Sequence, residues 1–147
     1  GGNYYEPHIV KQILNEEGAV EKKIEPVLVR ETVSENTSAF LKQALEKTVS
    51  EGTGSAAQVA GYEVGGKTGT AEKYPRSAKN YLVSFVGFAP ADNPQVIALI
   101  TINEPEGIYY GGTIAAPVIA DIFKNILPYL GIGEEEEEST GAFRIYG

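Results

Sequence analysis

The sequence has no cysteine, no methionine and no tryptophan, and its single histidine is His8. Without cysteine there is no disulfide, no thiolate nucleophile and no Cys-based zinc site. One histidine excludes a multi-His metal centre, and any Ser-His triad would have to use His8. A translated chain begins with Met, so its absence marks a piece of a longer protein or a processed product. No run approaches the roughly 20 apolar residues of a membrane-spanning helix. No signal peptide is visible, so any targeting segment is expected outside these residues. Positive charge is scarce: 12 Lys and Arg stand against 20 Asp and Glu, a net −8. The basic residues are not clustered enough to hold a phosphate backbone, which argues against nucleic acid as a partner.

What is there fits one domain at 147 residues. A chain of this size can bury roughly 68–70% of its unfolded surface. Five of the negative charges form the run Glu134–Glu138; with those five set aside from −8, the rest carries −3. A run of like charge repels itself and stays solvated. Residues 1–131 therefore read as domain material and 132–147 as an acidic linker or tail, and there is no internal repeat.

Local patterns suggest the elements. His8–Leu14 is apolar-rich, Asn15-Glu16-Glu17-Gly18 is turn chemistry, and Ala19–Lys23 can return as a second strand. Val27–Val33 offers another extended piece after Pro26. Ser34–Glu51 reads as a helix, with Leu41, Leu45, Thr48 and Val49 on one face, Ser34 or Asn36 as the cap and Gly52 as the stop. Glu51–Gly66, rich in Gly, Ala and Ser, reads as a loop. Tyr81–Ala89 and Gln95–Asn103 are strong strands joined by Pro90-Ala91-Asp92-Asn93-Pro94, a hairpin connection. Both are apolar on both faces, which predicts a sheet covered on both sides. Ala115–Leu127 reads as a helix with a wide apolar face, Pro117 in its first turn and Pro128 ending or kinking it. The order is an α+β pattern: an antiparallel sheet with packed helices.

Two motifs overlap. Gly61–Thr68 fits the phosphate-loop pattern G-x-x-x-x-G-K-[ST] letter for letter, which makes a nucleotide binder a remote alternative. That loop must open a helix, whose N–H groups hold the phosphates. Here Gly69 and Pro75 follow; inside a helix they cost about 1 and 3 kcal/mol. The other reading takes Gly65–Lys73 as an extended strand. Lys67 and Gly69 then share one face, and Thr68 and Thr70 the other. Gly66 and Gly69 remove side-chain bulk and would let a ligand or backbone approach. Such a strand offers N–H groups, two hydroxyls and one ammonium to an anion.

Four segments in order carry a resemblance over about Gly1–Ile132: GGNYYEPHIVKQI at Gly1–Ile13, EGTGSAAQVAGYEVGGKTGTAEK at Glu51–Lys73, YLVSFVGFAPADNP at Tyr81–Pro94, and INEPEGIYYGGTIAAPV at Ile102–Val118. On these the chain resembles the class B penicillin-binding proteins, the D,D-transpeptidases that cross-link peptidoglycan. K-T-G is one of three motifs that penicilloyl serine transferases share. The resemblance implies a penicillin-binding/β-lactamase-like fold with a five-stranded sheet whose first two strands lie outside this chain. It implies that Lys67, Thr68, Gly69 and Thr70 form one wall of the active-site cleft. Lys67 would raise the local positive potential and position a serine. Thr68 and Thr70 would bind the carboxylate of a D-Ala-D-Ala stem peptide or of a β-lactam, and the Thr70 N–H would be an oxyanion-hole donor. No metal or cofactor is implied.

The departures are equally specific. The family's nucleophile lies on S-x-x-K, and none of the seven serines has Lys three positions later; Thr70-Ala71-Glu72-Lys73 has the spacing without the serine. S-x-N occurs only as Ser34-Glu35-Asn36, where Ser and Asn are ordinary helix caps. The chain therefore reads as the C-terminal portion of a transpeptidase domain, inactive alone, from a parent acting at the extracytoplasmic face of the bacterial cell membrane. The rival is a non-catalytic penicillin-binding-fold sensor or interaction module. His8 and Glu72 read as residues without a special role, and Tyr109-Tyr110-Gly111-Gly112 as the turn launching the last helix. The edge of Gln95–Asn103, stripped of its neighbour, is expected to seek a partner: the missing N-terminal part of the domain or a second copy in a homodimer.

Overall fold

The computed structural model describes residues 1–133; the acidic run and the tail expected from it lie outside the described residues. The described chain divides into two units, Gly1–Leu41 and the residues from Lys42 onward.

The first unit holds two ribbons. Strands β1 (Asn3–Tyr5) and β4 (Leu28–Glu31) pair antiparallel, as do β2 (Gln12–Leu14) and β3 (Val20–Lys23). The β2–β3 turn forms where the sequence places it. Asn15 Oδ1 accepts from the Glu17 and Ala19 N–H groups at 3.1 and 2.9 Å, an Asx turn, and Gly18 takes a φ of 81°. Helix α1 (Glu35–Ser50) follows, capped by Ser34 rather than Asn36: Thr37 N–H donates to Ser34 Oγ at 3.2 Å.

The second unit carries the core. Strands β5 (Gly65–Glu72), β6 (Tyr81–Ala89) and β7 (Val96–Asn103) form an antiparallel sheet in the order β5-β6-β7. Pairing runs in unbroken register from Gly65↔Phe88 to Glu72↔Tyr81, and from Leu82↔Asn103 to Ala89↔Val96. One face presents Val83, Phe85 and Ala89 beside Val96, Ala98, Ile100 and Ile102. Helix α3 (Ala116–Tyr129) lays Ile119, Phe123 and Leu127 onto it, and all three are fully buried. Val49 from the last turn of α1 completes the cluster, while Leu41, expected on the same face, is 45% exposed.

Three expectations need correction. The sheet is covered on one side only among the described residues: Ile97 and Leu99 on the other face are 73% and 62% exposed. Their apolar character signals burial, but nothing in this stretch of chain supplies the cover. Pro128 does not end the helix before itself; it lies inside the last turn of α3, which runs on to Tyr129, with Gly131 beyond it at a φ of 71°. The loop expected over Glu51–Gly66 ends two residues early, because Gly65 and Gly66 already belong to β5. It contains a 3₁₀ turn at Ser55–Ala57, and Gln58 Nε2 donates to the Val49 and Ser50 carbonyls at 2.9 Å each. Those carbonyls would otherwise be orphans at the helix end. Beyond α3, the Tyr62 hydroxyl donates to the Ile132 carbonyl at 3.0 Å, so Ile132 is held against the body.

Candidate functional site

Strand β5 is an edge strand, and the antiparallel ladder decides where its backbone groups point. Lys73 N–H donates to the Asn80 carbonyl at 2.8 Å, toward β6. Alternate residues of an antiparallel strand direct their N–H and C=O to opposite sides. Counting back from Lys73, Gly69 and Lys67 bond inward to β6, while Gly66, Thr68 and Thr70 turn theirs to the free edge. The stretch Lys67–Thr70 thus presents unpaired backbone donors and acceptors along an open edge.

The side chains follow the expected alternation. Lys67 and Gly69 sit on the uncovered face; Thr68 and Thr70 sit on the face that carries α3. Lys67 nevertheless curls around the edge. Its Nζ donates to Thr68 Oγ1 and to the Thr68 carbonyl, both at 3.1 Å. Among the described residues Lys67 has no carboxylate partner, so its charge is uncompensated beside the Thr68 hydroxyl. The two glycines have a packing cause within the sheet. A Cβ on Gly66 would lie 2.6 Å from the Phe85 ring, and one on Gly69 would lie 2.5 Å from Ser84 Oγ. The sheet's own side chains already occupy that space.

Beside Thr68 and Thr70 is a recess of about 420 Å³. Its remaining walls come from Thr53 and Ser55 in the loop after α1 and from Tyr110 and Thr113 around α2 (Gly111–Ile114). Six lining residues carry a hydroxyl and the other two are Gly111 and Gly112, so no acid and no aliphatic side chain faces it. No periodic signal marks Thr53, Ser55 and Thr113, because the loop after α1 and the distant short helix α2 bring them together. The expected turn at Tyr109–Gly112 begins its own short helix, joined to α3 through Ala115. Two larger clefts, about 560 and 530 Å³, flank Gln58–Tyr62, and neither is lined by any residue of Lys67–Thr70.

An aromatic group closes the far end of the strand pair. Tyr81 and Tyr109 stack with centroids 4.4 Å apart and planes 7° from parallel, and Tyr110 lies 4.9 Å from Tyr109. The Tyr109 phenol is held above its ordinary 10, first by its hydrogen bond with Tyr110, then by the neighbouring Tyr110 and Tyr81 charges and by desolvation. Lys73 ties the end of β5 to the end of β7, donating to Asn103 Oδ1 at 3.0 Å and pairing with Glu104. Glu72 pairs with Arg76 at 3.7 Å, an ordinary exposed ion pair. His8 is exposed and, among the described residues, its ring bonds only the Glu6 carbonyl, at 3.3 Å. The phosphate-loop reading fails on backbone grounds: Thr68 lies in mid-strand, and no helix begins there.

Comparison with known proteins agrees with this architecture. The family described as penicillin binding protein transpeptidase domain matches residues 1–126. Stage V sporulation protein D of Bacillus subtilis is 43% identical over 137 residues, covering 90% of this chain and 21% of that protein. The probable peptidoglycan D,D-transpeptidase PenA of Neisseria meningitidis is 44% identical over 97 residues, covering 63% of this chain and 17% of its own. The D,D-transpeptidase domain of a peptidoglycan glycosyltransferase from Eggerthella lenta superposes with a TM-score of 0.75 at 31% identity, over 89% of this chain and 29% of that one. Penicillin binding protein 3 from Mycobacterium tuberculosis, solved with ampicillin, gives 0.74 at 25% identity, over 94% and 33%. The chain thus spans about a fifth of the length of these curated relatives. The order of elements, the open-edged Lys-Thr-Gly-Thr strand and the match over residues 1–126 place the chain in the penicillin-binding protein transpeptidase family.

Proposed function

We propose that this chain is the C-terminal portion of a serine D,D-transpeptidase domain and supplies the anion-binding wall of its active site. Residues 1–131 belong to that domain and 132–147 to an acidic linker or tail. In the complete enzyme a serine outside this chain attacks the carbonyl between the two D-alanines of a stem peptide. Its proton passes to a neighbouring base, the terminal D-alanine leaves as the amine, and an acyl-serine ester remains. An amine on a neighbouring stem then attacks that ester, forms the cross-link amide and frees the serine. β-Lactams acylate the same serine by ring opening. No step of this chemistry calls on a metal or cofactor. The parent works at the extracytoplasmic face of the bacterial membrane, held by an anchor outside these residues.

Within that reaction the roles divide along β5. The Thr70 N–H, turned to the free edge, donates to the oxyanion of the tetrahedral intermediate. Loss of one such donor costs on the order of 10²–10³ in rate. The Thr68 and Thr70 hydroxyls hold the substrate carboxylate, and Lys67 supplies positive potential and orients the serine. The observation that carries this reading is the uncompensated ammonium of Lys67 beside the open edge and the Thr68 hydroxyl.

No S-x-x-K occurs in the sequence and its one S-x-N is the helix cap at Ser34, so the isolated chain is expected to be inert. The test uses fluorescent penicillin and a denaturing gel. The full-length protein should give a stable covalent band whose adduct maps by mass spectrometry to a serine outside residues 1–147. The chain alone should give none; a stoichiometric band on it would overturn the reading.

A further inference from the structure

The recess beside β5 holds more hydroxyls than the motif strand supplies. A carboxylate has about four lone-pair sites on two oxygens, and Thr68 and Thr70 can fill at most two. The rest fall to water or to other donors around this open recess. Lys67 cannot accept a hydrogen bond, so at 3.1 Å it donates and Thr68 Oγ1 accepts. The Thr68 hydroxyl proton is therefore free to point away from Lys67 toward a ligand. Among the described residues, the hydroxyls of Thr53, Ser55, Thr70 and Thr113 have no hydrogen-bond partner within the chain. The Thr113 backbone is fixed, its N–H donating to the Tyr110 carbonyl at 2.9 Å. No acid lines the recess to repel an anion.

We infer that Thr113 and Ser55 are specificity-determining residues whose hydroxyls, beside Thr53, complete the cradle for a free carboxylate at the end of the donor peptide. This rests on the reading above and adds to it a set of contacts outside the K-T-G strand. The ligand chemistry is a carboxylate one residue beyond the scissile bond, which a stem peptide and a β-lactam share. A donor whose carboxylate is blocked keeps only a neutral carbonyl acceptor and loses the charge-assisted part of these bonds.

The experiment compares Thr113→Val and Ser55→Ala with wild type in the full-length protein. Acylation rates are measured with benzylpenicillin and its methyl ester, and with an N-acyl-D-Ala-D-Ala peptide and its C-terminal amide. For each variant, both free acids should react at least about tenfold more slowly, the size of a lost charge-assisted hydrogen bond. The ester and amide rates should fall by clearly less than the free-acid rates, and a wild-type melting temperature reports an intact fold. Acid and blocked forms falling in parallel, or neither falling, would overturn the inference. Loss with penicillin alone would assign the recess to the antibiotic and overturn it for the peptide. Wild-type protein inert to all four probes would instead overturn the transpeptidase reading on which it rests.

Discussion

Gly111 sets how closely α2 approaches the sheet. A Cβ there would lie 2.3 Å from the Ser84 carbonyl oxygen, which the β5–β6 ladder holds in place. Backbone cannot swing away as a flexible side chain can. Gly111→Ala is expected to destabilise the domain by about 1–3 kcal/mol, the usual cost of overpacking, seen as a lower melting temperature of the full-length protein. Phe123 shows the converse. It is fully buried against the sheet, and Phe123→Ala should cost about 3–5 kcal/mol in the same measurement. Tyr109 gives a pH signature. Its raised value means the fold prefers the neutral phenol, mainly through the Tyr110 hydrogen bond. That preference contributes its full stabilisation below the unfolded value near 10 and is lost as pH rises through the folded value. An alkaline difference titration of wild type against Tyr109→Phe should show a phenol ionising above that reference; a phenol ionising at or below it would contradict the stabilising role of the Tyr110 hydrogen bond.

At the scale of elements, the sequence was readable where the signal is local. Tyr81–Ala89 is the strand its β-branched and aromatic run predicts, residue for residue, and the Pro-Ala-Asp-Asn-Pro link turns it into β7. Ser34 caps α1 because its hydroxyl is three residues from the N–H it serves. Non-local facts were not readable. Nothing in Asn3–Tyr5 says that it pairs with Leu28–Glu31 across more than twenty residues. Apolar character on both faces of β6 and β7 marks intended burial without saying which chain segment provides it. The Lys67–Thr70 strand was legible through its motif. Its hydroxyl recess was not, because Thr53, Ser55 and Thr113 are scattered among loops and a short helix. Gln58 was equally silent in sequence, although it closes the end of α1 with two hydrogen bonds. Gln58→Leu keeps the volume and removes both, so it should destabilise by about 1–3 kcal/mol. Hydrogen exchange should then show the last turn of α1 opening first.

Considered whole, the described sheet has features that call for more chain. The outer edge of β7 is unpaired over Val96–Asn103, with no Pro or Lys to discourage pairing. The face carrying Ile97 and Leu99 is open as well. The isolated chain is therefore expected to dimerise through this edge or to retain a companion segment of the same domain. Sedimentation with mass spectrometry of the same sample would detect either; a clean monomer without a companion would contradict the open edge. The central claim is that the β5 edge stabilises the transition state of acyl transfer. Lys67 is exposed and outside the core, so Lys67→Ala separates catalysis from folding. The most direct measurement is the penicillin acylation rate of the full-length Lys67→Ala protein beside its melting temperature. The account predicts a fall in acylation on the order of 10² or more with melting essentially unchanged. Wild-type acylation by the variant would remove Lys67 from the site and contradict the account.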